Sequence, residues 1–303
     1  MKQAVSVSLG SSKRDKKIIA TFKDEKVSIE RIGTDGDAKA QRRLFAELDG
    51  KVDAFGIGGL DLDLYLDQRA YPLHAAYKQI QDVHQTPVVD GSRLKLTLER
   101  RVFELAQPLL NEPLHFHKAF IPMGIDRMGL AKAVLDITDE VTFGDLMFGL
   151  SIPIPIRGIQ SYRTLLRIML PLVSYFPLSM LFYGSKSTEN EPKYEKYWQE
   201  ADLIAGDFMF VKKYMPYDMQ GKTLITNTTT TENVALLRER GVRRIITTTP
   251  RYEGRSFGTN MMEATLTAYA GLGRRLSYNE VNSLIDELDL RPTIQTLSDN
   301  NSE

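Results

Sequence analysis

The sequence predicts an α/β protein with two α/β domains, of which the C-terminal one is a Rossmann-like, doubly wound and mostly parallel sheet. Its 303 residues exceed one ordinary domain, which holds roughly 100–200 residues. Short apolar segments alternate with segments of helical period, and a strand–helix–strand order calls for parallel strands with right-handed crossovers. We place the first domain at 1–112, the Rossmann-like domain at 113–275, and a C-terminal helix and polar tail at 276–303.

Composition and charge restrict the class of protein. The formal net charge is zero, with 39 basic and 39 acidic residues, whereas a nucleic-acid-binding protein usually has a basic surplus. The absence of cysteine excludes disulfides, cysteine nucleophiles and thiolate metal sites. Because the N-terminal segment has no apolar region before a cleavage site, we expect a cytoplasmic protein. The expected partner is a small-molecule substrate and not a nucleic acid, with a homodimer as an open alternative.

In the first domain, apolar segments between polar turns predict strands, and periodic segments predict helices. Asp37 is expected to cap a helix that carries Phe45 on its apolar face. Ser92 is expected to cap a second helix that continues to Pro108, because every third or fourth residue there is apolar. The predicted strands cover residues 4–9, 17–22, 27–32, 52–57 and 87–89.

The second domain has a more regular strand–helix rhythm. Thr231 is expected to cap a helix, and Ser277 with Glu280 forms a capping box that begins the last helix. The last dozen residues are polar, and we expect them to be frayed. The predicted strands cover residues 114–123, 141–143, 201–205, 222–227 and 242–247.

The apolar segment 164–183 departs from this rhythm, because Arg167 is its only charged residue. Its length suits a membrane-spanning helix of about 20 residues, but Pro171 and Pro177 are expected to break it twice. We therefore predict no transmembrane span and a helical excursion at 160–184, buried at a domain or subunit interface. Attachment to a membrane surface is the alternative.

A glycine turn follows the first predicted strand of the second domain, where open parallel sheets bind ligands. Gly124 and Gly129 enclose GIDRMG, whose N–H groups at a helix start can hold a pyrophosphate, although the spacing is G-x-x-x-x-G rather than G-x-G-x-x-G. Arg127, beside Asp126, can contact a phosphate. Asp145 follows the second strand, where an acid binds a ribose and favours NAD over NADP. An ordinary βα turn with a surface acid is the alternative interpretation.

Two further polar segments follow later strands of the same domain. Hydroxyl and amide groups in TNTTTTEN can hold a ribose or a nicotinamide amide, although threonines are also ordinary cap residues. The segment TTTPRYEGRSFGTN places arginines beside glycines before a helix, which favours anion or cofactor binding. The candidate cofactor contacts in these segments are Asn227, Thr228, Thr229, Thr248, Thr249, Arg251, Arg255 and Ser256.

Polar residues of the first domain form a candidate substrate site. The loop after the first strand offers hydroxyls and cations that suit a carboxylate or phosphate, although a solvated turn has the same composition. A lysine beside a carboxylate can exchange a proton with a hydroxyl, whereas the alternative is a helix cap followed by a solvated lysine. The candidates are Lys95, Asp90 and Asp61 for catalysis, and Ser11, Ser12, Arg14 and Ser92 for substrate binding.

Two of the four histidines are spaced as metal ligands could be. His115 and His117 are two residues apart on a predicted strand, so their side chains face the same side. His74 and His84 are the other histidines, and no pattern brings them near. We therefore predict no metal site.

Segments across most of the chain resemble a bacterial family that carries the label quinate 5-dehydrogenase. They include SVSLGSSKRDK, IERIGTDGD, VDAFGIGGLDL, VVDGS, TLERR, FGDLMFGLSIPIPIR, ADLIAGDF, GKTLITNTTT and VRRIITTTPRYEGRSFGTN. The resemblance implies a protein similar to shikimate and quinate dehydrogenases, in which a substrate domain precedes a dinucleotide domain. In those enzymes N-terminal serines bind the polyol acid and a Lys–Asp pair transfers a proton. The resemblance implies these roles for Ser6, Ser8, Ser11 or Ser12, and for Lys95 with Asp90 or Asp61.

Three functional classes remain. The first is an oxidoreductase that uses NAD or NADP and acts on a hydroxylated carboxylic acid of the quinate or shikimate type. The second is a Rossmann-like regulatory protein that binds a nucleotide or a phosphorylated metabolite without redox turnover. The third is an assembly or membrane-surface protein that uses the segment 164–183 for contact.

Overall fold

The computed structural model describes residues 1–110, 112–181, 189–252 and 255–297. It is a mixed α/β protein with sheets rich in parallel strands, as the sequence predicts. Its contacts divide the chain into two compact units, and each unit is built from more than one stretch of sequence. The first unit contains Met1–Thr97, Arg167–Lys186 and Gly258–Asp289, and the second contains Leu98–Leu166, Ser187–Phe257 and Leu290–Glu303.

The strands and helices have these bounds. The strands are β1 Lys2–Ser8, β2 Lys16–Phe22, β3 Glu25–Gly33, β4 Ala54–Gly58, β5 Asp63–Leu66, β6 Arg69–Pro72, β7 Val88–Val89, β8 Phe116–Ile121, β9 Thr138–Phe143, β10 Ile156–Arg157, β11 Leu203–Ala205, β12 Thr223–Thr226, β13 Arg244–Thr247, β14 Arg251–Tyr252, β15 Arg255–Ser256 and β16 Thr293–Thr296. The α-helices are α1 Ala38–Leu48, α2 His74–Tyr77, α3 Ser92–Leu96, α4 Val102–Ala106, α5 Met128–Leu135, α6 Asp145–Gly149, α7 Ile159–Val173, α8 Leu178–Leu181, α9 Glu195–Glu200, α10 Phe208–Tyr214, α11 Thr231–Glu239, α12 Thr259–Ala270 and α13 Tyr278–Glu287.

The first unit contains a five-stranded sheet in the order β2-β3-β1-β4-β7. β1 pairs in parallel with β3 and β4, and β4 pairs in parallel with β7, whereas β2 forms an antiparallel hairpin with β3. Every residue of β4 is buried, as expected for a strand covered on both faces. The largely buried helix α12 packs on β1 and β4. The chain therefore comes back to the first unit after it has passed through the second unit. The domain boundaries predicted from the sequence do not include this return.

The second unit contains a seven-stranded sheet in the order β10-β9-β8-β11-β12-β13-β16. The five strands from β9 to β13 in this order pair in parallel, and the edge strands β10 and β16 are antiparallel to their neighbours. Large apolar side chains fill the core beside it, including Phe120, Trp198 and Phe208. Strand order reverses after β8: the chain first adds β9 on one side and later adds β11 on the other.

Local signals in the sequence located several helix ends. Asp37 caps α1 by accepting hydrogen bonds from the N–H groups of Lys39 and Ala40, as predicted. Ser277 and Glu280 form the predicted capping box of α13. One cap prediction was displaced by one residue, since Thr230 rather than Thr231 caps α11.

Two longer-range predictions were wrong. The single helix expected from Ser92 to Pro108 is broken, because α3 ends at Leu96 and α4 begins only at Val102. The prediction of a frayed tail is also wrong for Thr293–Thr296, because this segment pairs with β13 and adds an edge strand to the second sheet. Backbone hydrogen bonds, which polar composition does not reveal, order this strand.

The apolar segment folds as two helices, α7 and α8. Pro171 lies inside α7 and does not end it, contrary to prediction, since the helix continues to Val173 although proline has no N–H to donate. Pro177 does lie between the two helices. In the part of the chain that the structure describes, no helix is long and apolar enough to cross a membrane.

Candidate functional site

The parallel strands β1, β4 and β7 of the first unit end at the same edge of their sheet. The segments that follow β4 and β7 carry Asp61 and Asp90, and Lys95 lies in α3 immediately after. Gly91 caps α3 with a φ of 91°, and a Cβ there would approach the backbone nitrogen of Asn260 to 2.6 Å. A glycine is therefore needed at this position, and Ser92 is not the cap that the sequence predicts.

Lys95 forms an ion pair with Asp61. The Lys95 Nζ lies 2.5 Å from Asp61 Oδ1, and the two side chains are 8% and 17% exposed. Of the two acids predicted as partners of this lysine, Asp61 forms this ion pair, and the charge of Lys95 also contributes to lowering the pKa of Asp90. An ammonium group and a carboxylate at hydrogen-bond distance can relay a proton between a bound hydroxyl and solvent.

Asp90 has a different environment, since it is completely enclosed and holds the neighbouring loop. Its carboxylate accepts hydrogen bonds from the N–H groups of Leu62, Asp63 and Ser92, and from Arg275 Nη2 at 3.2 Å. Burial alone would raise the pKa of Asp90, but the charge of Arg275 and the hydrogen bonds from Ser92 outweigh it and lower the pKa. Asp90 therefore orders the segment that follows Asp61.

The predicted substrate-binding residues lie at separate places in this unit. The Ser92 hydroxyl accepts a hydrogen bond from Arg275 at 3.4 Å. Ser11 caps a short 3-10 turn, and the N–H of the exposed Ser12 donates to Asp35. The half-buried Arg14 lies over Gly10. Ser11 and Ser12 thus make backbone contacts at the N-terminal loop. Of the predicted substrate-binding residues, only Ser92 contacts Asp90 and Arg275.

Sequence reasoning missed Arg275 and Glu263, which the fold brings to Asp90 and Arg93 from far along the chain. Glu263 is fully buried in α12 and accepts the N–H of Arg93 at 2.9 Å. Its Oε1 has no hydrogen-bond partner among the described residues. Burial and the charge of Asp90 raise the pKa of Glu263 to about 7. The sequence does contain one signal for Glu263: it is the only charged residue in the helix TNMMEATLTAYA.

In the second unit, the glycine turn after β8 is bound to Asp145. The carboxylate accepts hydrogen bonds from the N–H groups of Gly124 at 3.1 Å and Ile125 at 2.8 Å, and from the hydroxyl of buried Tyr162 at 3.0 Å. The Tyr162 ring stacks on Phe143 with centroids 3.8 Å apart. The chain's own carboxylate thus occupies amide groups that the sequence assigned to a pyrophosphate.

Arg127 is nearly enclosed by acidic side chains. Its guanidinium lies 2.5 Å from Glu99 and 2.9 Å from Asp207, and its own side chain is 4% exposed. Asp126 lies 3.7 Å away, and Gly129 is buried in α5. The positive charge of Arg127 is therefore balanced within the unit, and it joins the segments that follow β8 and β11.

The polar residues after β12 and β13 bind mainly to one another. Asn227 accepts the N–H of Thr228 and donates to Asp207 at 2.7 Å. The Thr249 hydroxyl donates to the carbonyl of Asn227 at 2.8 Å, and Thr248 donates to Glu99 at 3.5 Å. These hydrogen bonds tie the carboxyl ends of β11, β12 and β13 together.

The segment around β14 and β15 is only partly described. Ser256 accepts the N–H of Thr229 at 2.9 Å. Arg251 and Arg255 contribute backbone to the β14–β15 pair, but their side chains, and residues 253–254, lie outside the described part. The predicted role of these two arginines therefore stays a prediction.

His115 and His117 both contact Asp139, at 3.1 and 3.0 Å. All three side chains are mostly exposed. Within the described ranges, no group of three or more His, Asp or Glu side chains is placed to hold a metal ion.

The pH dependence of the free energy of unfolding tests whether burial raises the pKa of Asp145. Burial raises its pKa from 3.8 to about 7, so the folded protein holds this proton more tightly than the unfolded chain. The resulting stabilisation is complete below about pH 4 and is lost as the pH rises through about 7. We expect the free energy of unfolding to fall by up to about 1.4 kcal/mol per pH unit in this window, and Asp145→Asn to remove that contribution.

Urea denaturation of wild type and Asp145→Asn at a series of pH values measures the difference. Glu263→Gln is the matched variant for the first unit, because the pKa of Glu263 is also raised to about 7. An identical pH slope in wild type and Asp145→Asn would contradict the assignment.

Two family models match the chain. Residues 3–90 match a domain of unknown function, DUF8753, and residues 93–297 match a domain of unknown function, DUF8754. No curated protein matches it. The boundary between the matches falls inside the first structural unit, because α12 and α13 of that unit belong to the second match.

Proposed function

We propose that this chain, which belongs to the family described as the domain of unknown function DUF8754, is an NAD- or NADP-dependent oxidoreductase that acts on a hydroxylated carboxylic acid. In the proposal the second unit is a Rossmann-like dinucleotide-binding domain, and the first unit supplies the proton-transfer pair. The observation that carries it is the largely buried ion pair of Lys95 and Asp61 at the edge where the parallel strands β1, β4 and β7 end.

The ion pair suits the chemistry of a dehydrogenase. Oxidation of a secondary alcohol removes a hydride from the carbinol carbon, which a bound nicotinamide accepts, and a proton from the hydroxyl. Lys95, an ammonium group in the ion pair, would first pass a proton through Asp61 to solvent; as a neutral amine it would then take the hydroxyl proton, and Asp61 would stabilise the ammonium group that results. The resemblance to the family labelled quinate 5-dehydrogenase supports the substrate class, a polyol acid of the quinate or shikimate type.

The strand order of the second unit supports the cofactor. In open α/β sheets, ligands bind in the crevice where strand order reverses, and here this lies between β8 and β11. Asp207 follows β11 with a side chain 35% exposed, and Thr228 follows β12 half-buried. These residues offer groups for ribose hydroxyls, while Asp145 and Arg127 order the surrounding turns.

Thermal melting with NAD, NADH, NADP and NADPH tests the proposal. A ligand at 100 times its dissociation constant stabilises the folded state by about 2.7 kcal/mol, which raises the melting temperature measurably. We expect a shift with one oxidised and reduced pair, and turnover of quinate or shikimate with the same pair. A shift with a phosphorylated metabolite but with none of the four nucleotides would favour the regulatory binding protein instead.

A further inference from the structure

The C-terminal half of α7 and the helix α8 carry exposed apolar side chains. Ile168, Leu172 and Tyr175 are 64%, 58% and 76% exposed, and Met180 is 51% exposed. Ile168 and Leu172, four residues apart, lie on one side of α7, opposite the buried Leu170, and Tyr175 lies in the turn that follows the helix. We call Ile168, Leu172, Tyr175 and Met180 the outer apolar face. Exposed apolar patches of this kind commonly mark contact surfaces.

The sequence around this face is depleted of negative charge. Between Asp145 and Glu189 there is no acidic residue, although the whole chain contains 39 among 303 residues. Arg167, next to Ile168, is exposed. The face is thus apolar with a positively charged neighbour.

The helix α2 packs beside the same segment; like that segment it contains no acidic residue, and a basic residue follows it. The N–H of His74 donates to the carbonyl of Ser174 at 3.1 Å, and its ring lies 4.7 Å from that of Tyr175. Lys78, one turn further along, is exposed, and no acidic residue occurs from His74 to Lys78. A second exposed cation therefore lies at the C-terminal end of the helix whose first residue contacts Tyr175.

We propose that the outer apolar face binds the surface of an anionic lipid bilayer. Apolar side chains with basic neighbours insert at the boundary between headgroups and acyl chains, and each cation gains from anionic lipids. Tyrosine is enriched at this depth because its ring is apolar and its hydroxyl polar. A second copy of the chain fits this face less well, because residues 146–188 of that copy offer no acidic side chain to Arg167. The inference is independent of the proposed oxidoreductase activity.

Sedimentation of the full chain with vesicles tests the proposal. The protein should sediment with vesicles of phosphatidylcholine and phosphatidylglycerol in equal parts, should not sediment with phosphatidylcholine alone, and should be released by salt. Ile168→Ser and Leu172→Ser should each weaken binding about ten-fold, because burial of their side chains is lost. Arg167→Glu should weaken binding to the anionic vesicles.

Tyr217→Ser is the matched control, since Tyr217 is 70% exposed on another segment and its loss should leave binding unchanged. The melting temperatures of all variants verify that they fold. Failure to sediment with anionic vesicles, or equal sedimentation with neutral ones, would overturn the proposal. Dimerisation without lipid that Leu172→Ser abolishes would assign the face to a second copy instead.

Discussion

Replacement of Lys95 by methionine is expected to lower kcat for the proposed hydroxy-acid oxidation by about 10²–10⁴-fold, the usual contribution of a positioned acid–base group. Methionine keeps much of the length of the side chain but cannot take a proton. Because the proposal places nucleotide binding in the second unit, the melting shift with the cofactor should persist. Steady-state kinetics with the nucleotide identified by melting provide the measurement.

Two matched variants make this result specific to Lys95. Lys78→Met changes an exposed lysine of the same unit and should leave kcat unchanged. Asp61→Asn should lower kcat less than Lys95→Met and should move the pH optimum, because it removes the charge that favours protonated Lys95. Full turnover in Lys95→Met would show that another group carries the proton.

Arg127→Met is expected to destabilise the protein by about 3–5 kcal/mol, the cost of removing one partner from a buried ion pair. The carboxylate of Glu99 is fully buried, and without Arg127 it would lose the cation at 2.5 Å. The urea midpoint should fall sharply. Arg157→Met, at an exposed arginine of the same unit, should change stability little.

A second replacement separates this structural role from phosphate binding. In Arg127→Met combined with Glu99→Gln, the uncompensated negative charge is gone, so part of the lost stability should return. If Arg127→Met instead keeps its stability and loses nucleotide binding, Arg127 contacts the ligand directly.

Local features of the fold could be predicted because their signals lie within a few residues. Asp37 and the Ser277–Glu280 box start helices through side-chain contacts two or three residues away, and patterns of that length can be read along a sequence. The buried strand β4 could be recognised by its apolar composition.

Which side chains contact one another in the candidate sites could not be predicted, because the residues are far apart in the sequence and no short sequence pattern connects them. Asp145 and Gly124 are both predicted site residues, but the hydrogen bond between them follows from the pairing of β8 with β9. Likewise, Arg275 reaches Asp90 across 185 positions of sequence. The pair of Lys95 and Asp61 was within reach, because consecutive parallel strands bring the segments after them to one edge.

The placement of α12 has a consequence for how the protein is made. β1 and β4 lie near the N-terminus, but the helix that covers them ends at Ala270. The face of this sheet that α12 packs on therefore stays uncovered during translation until α12, Thr259–Ala270, has been made. Pairings between such distant segments form slowly and leave nascent chains prone to aggregation. Fragments that stop before residue 258 lack α12 and should accumulate as insoluble material.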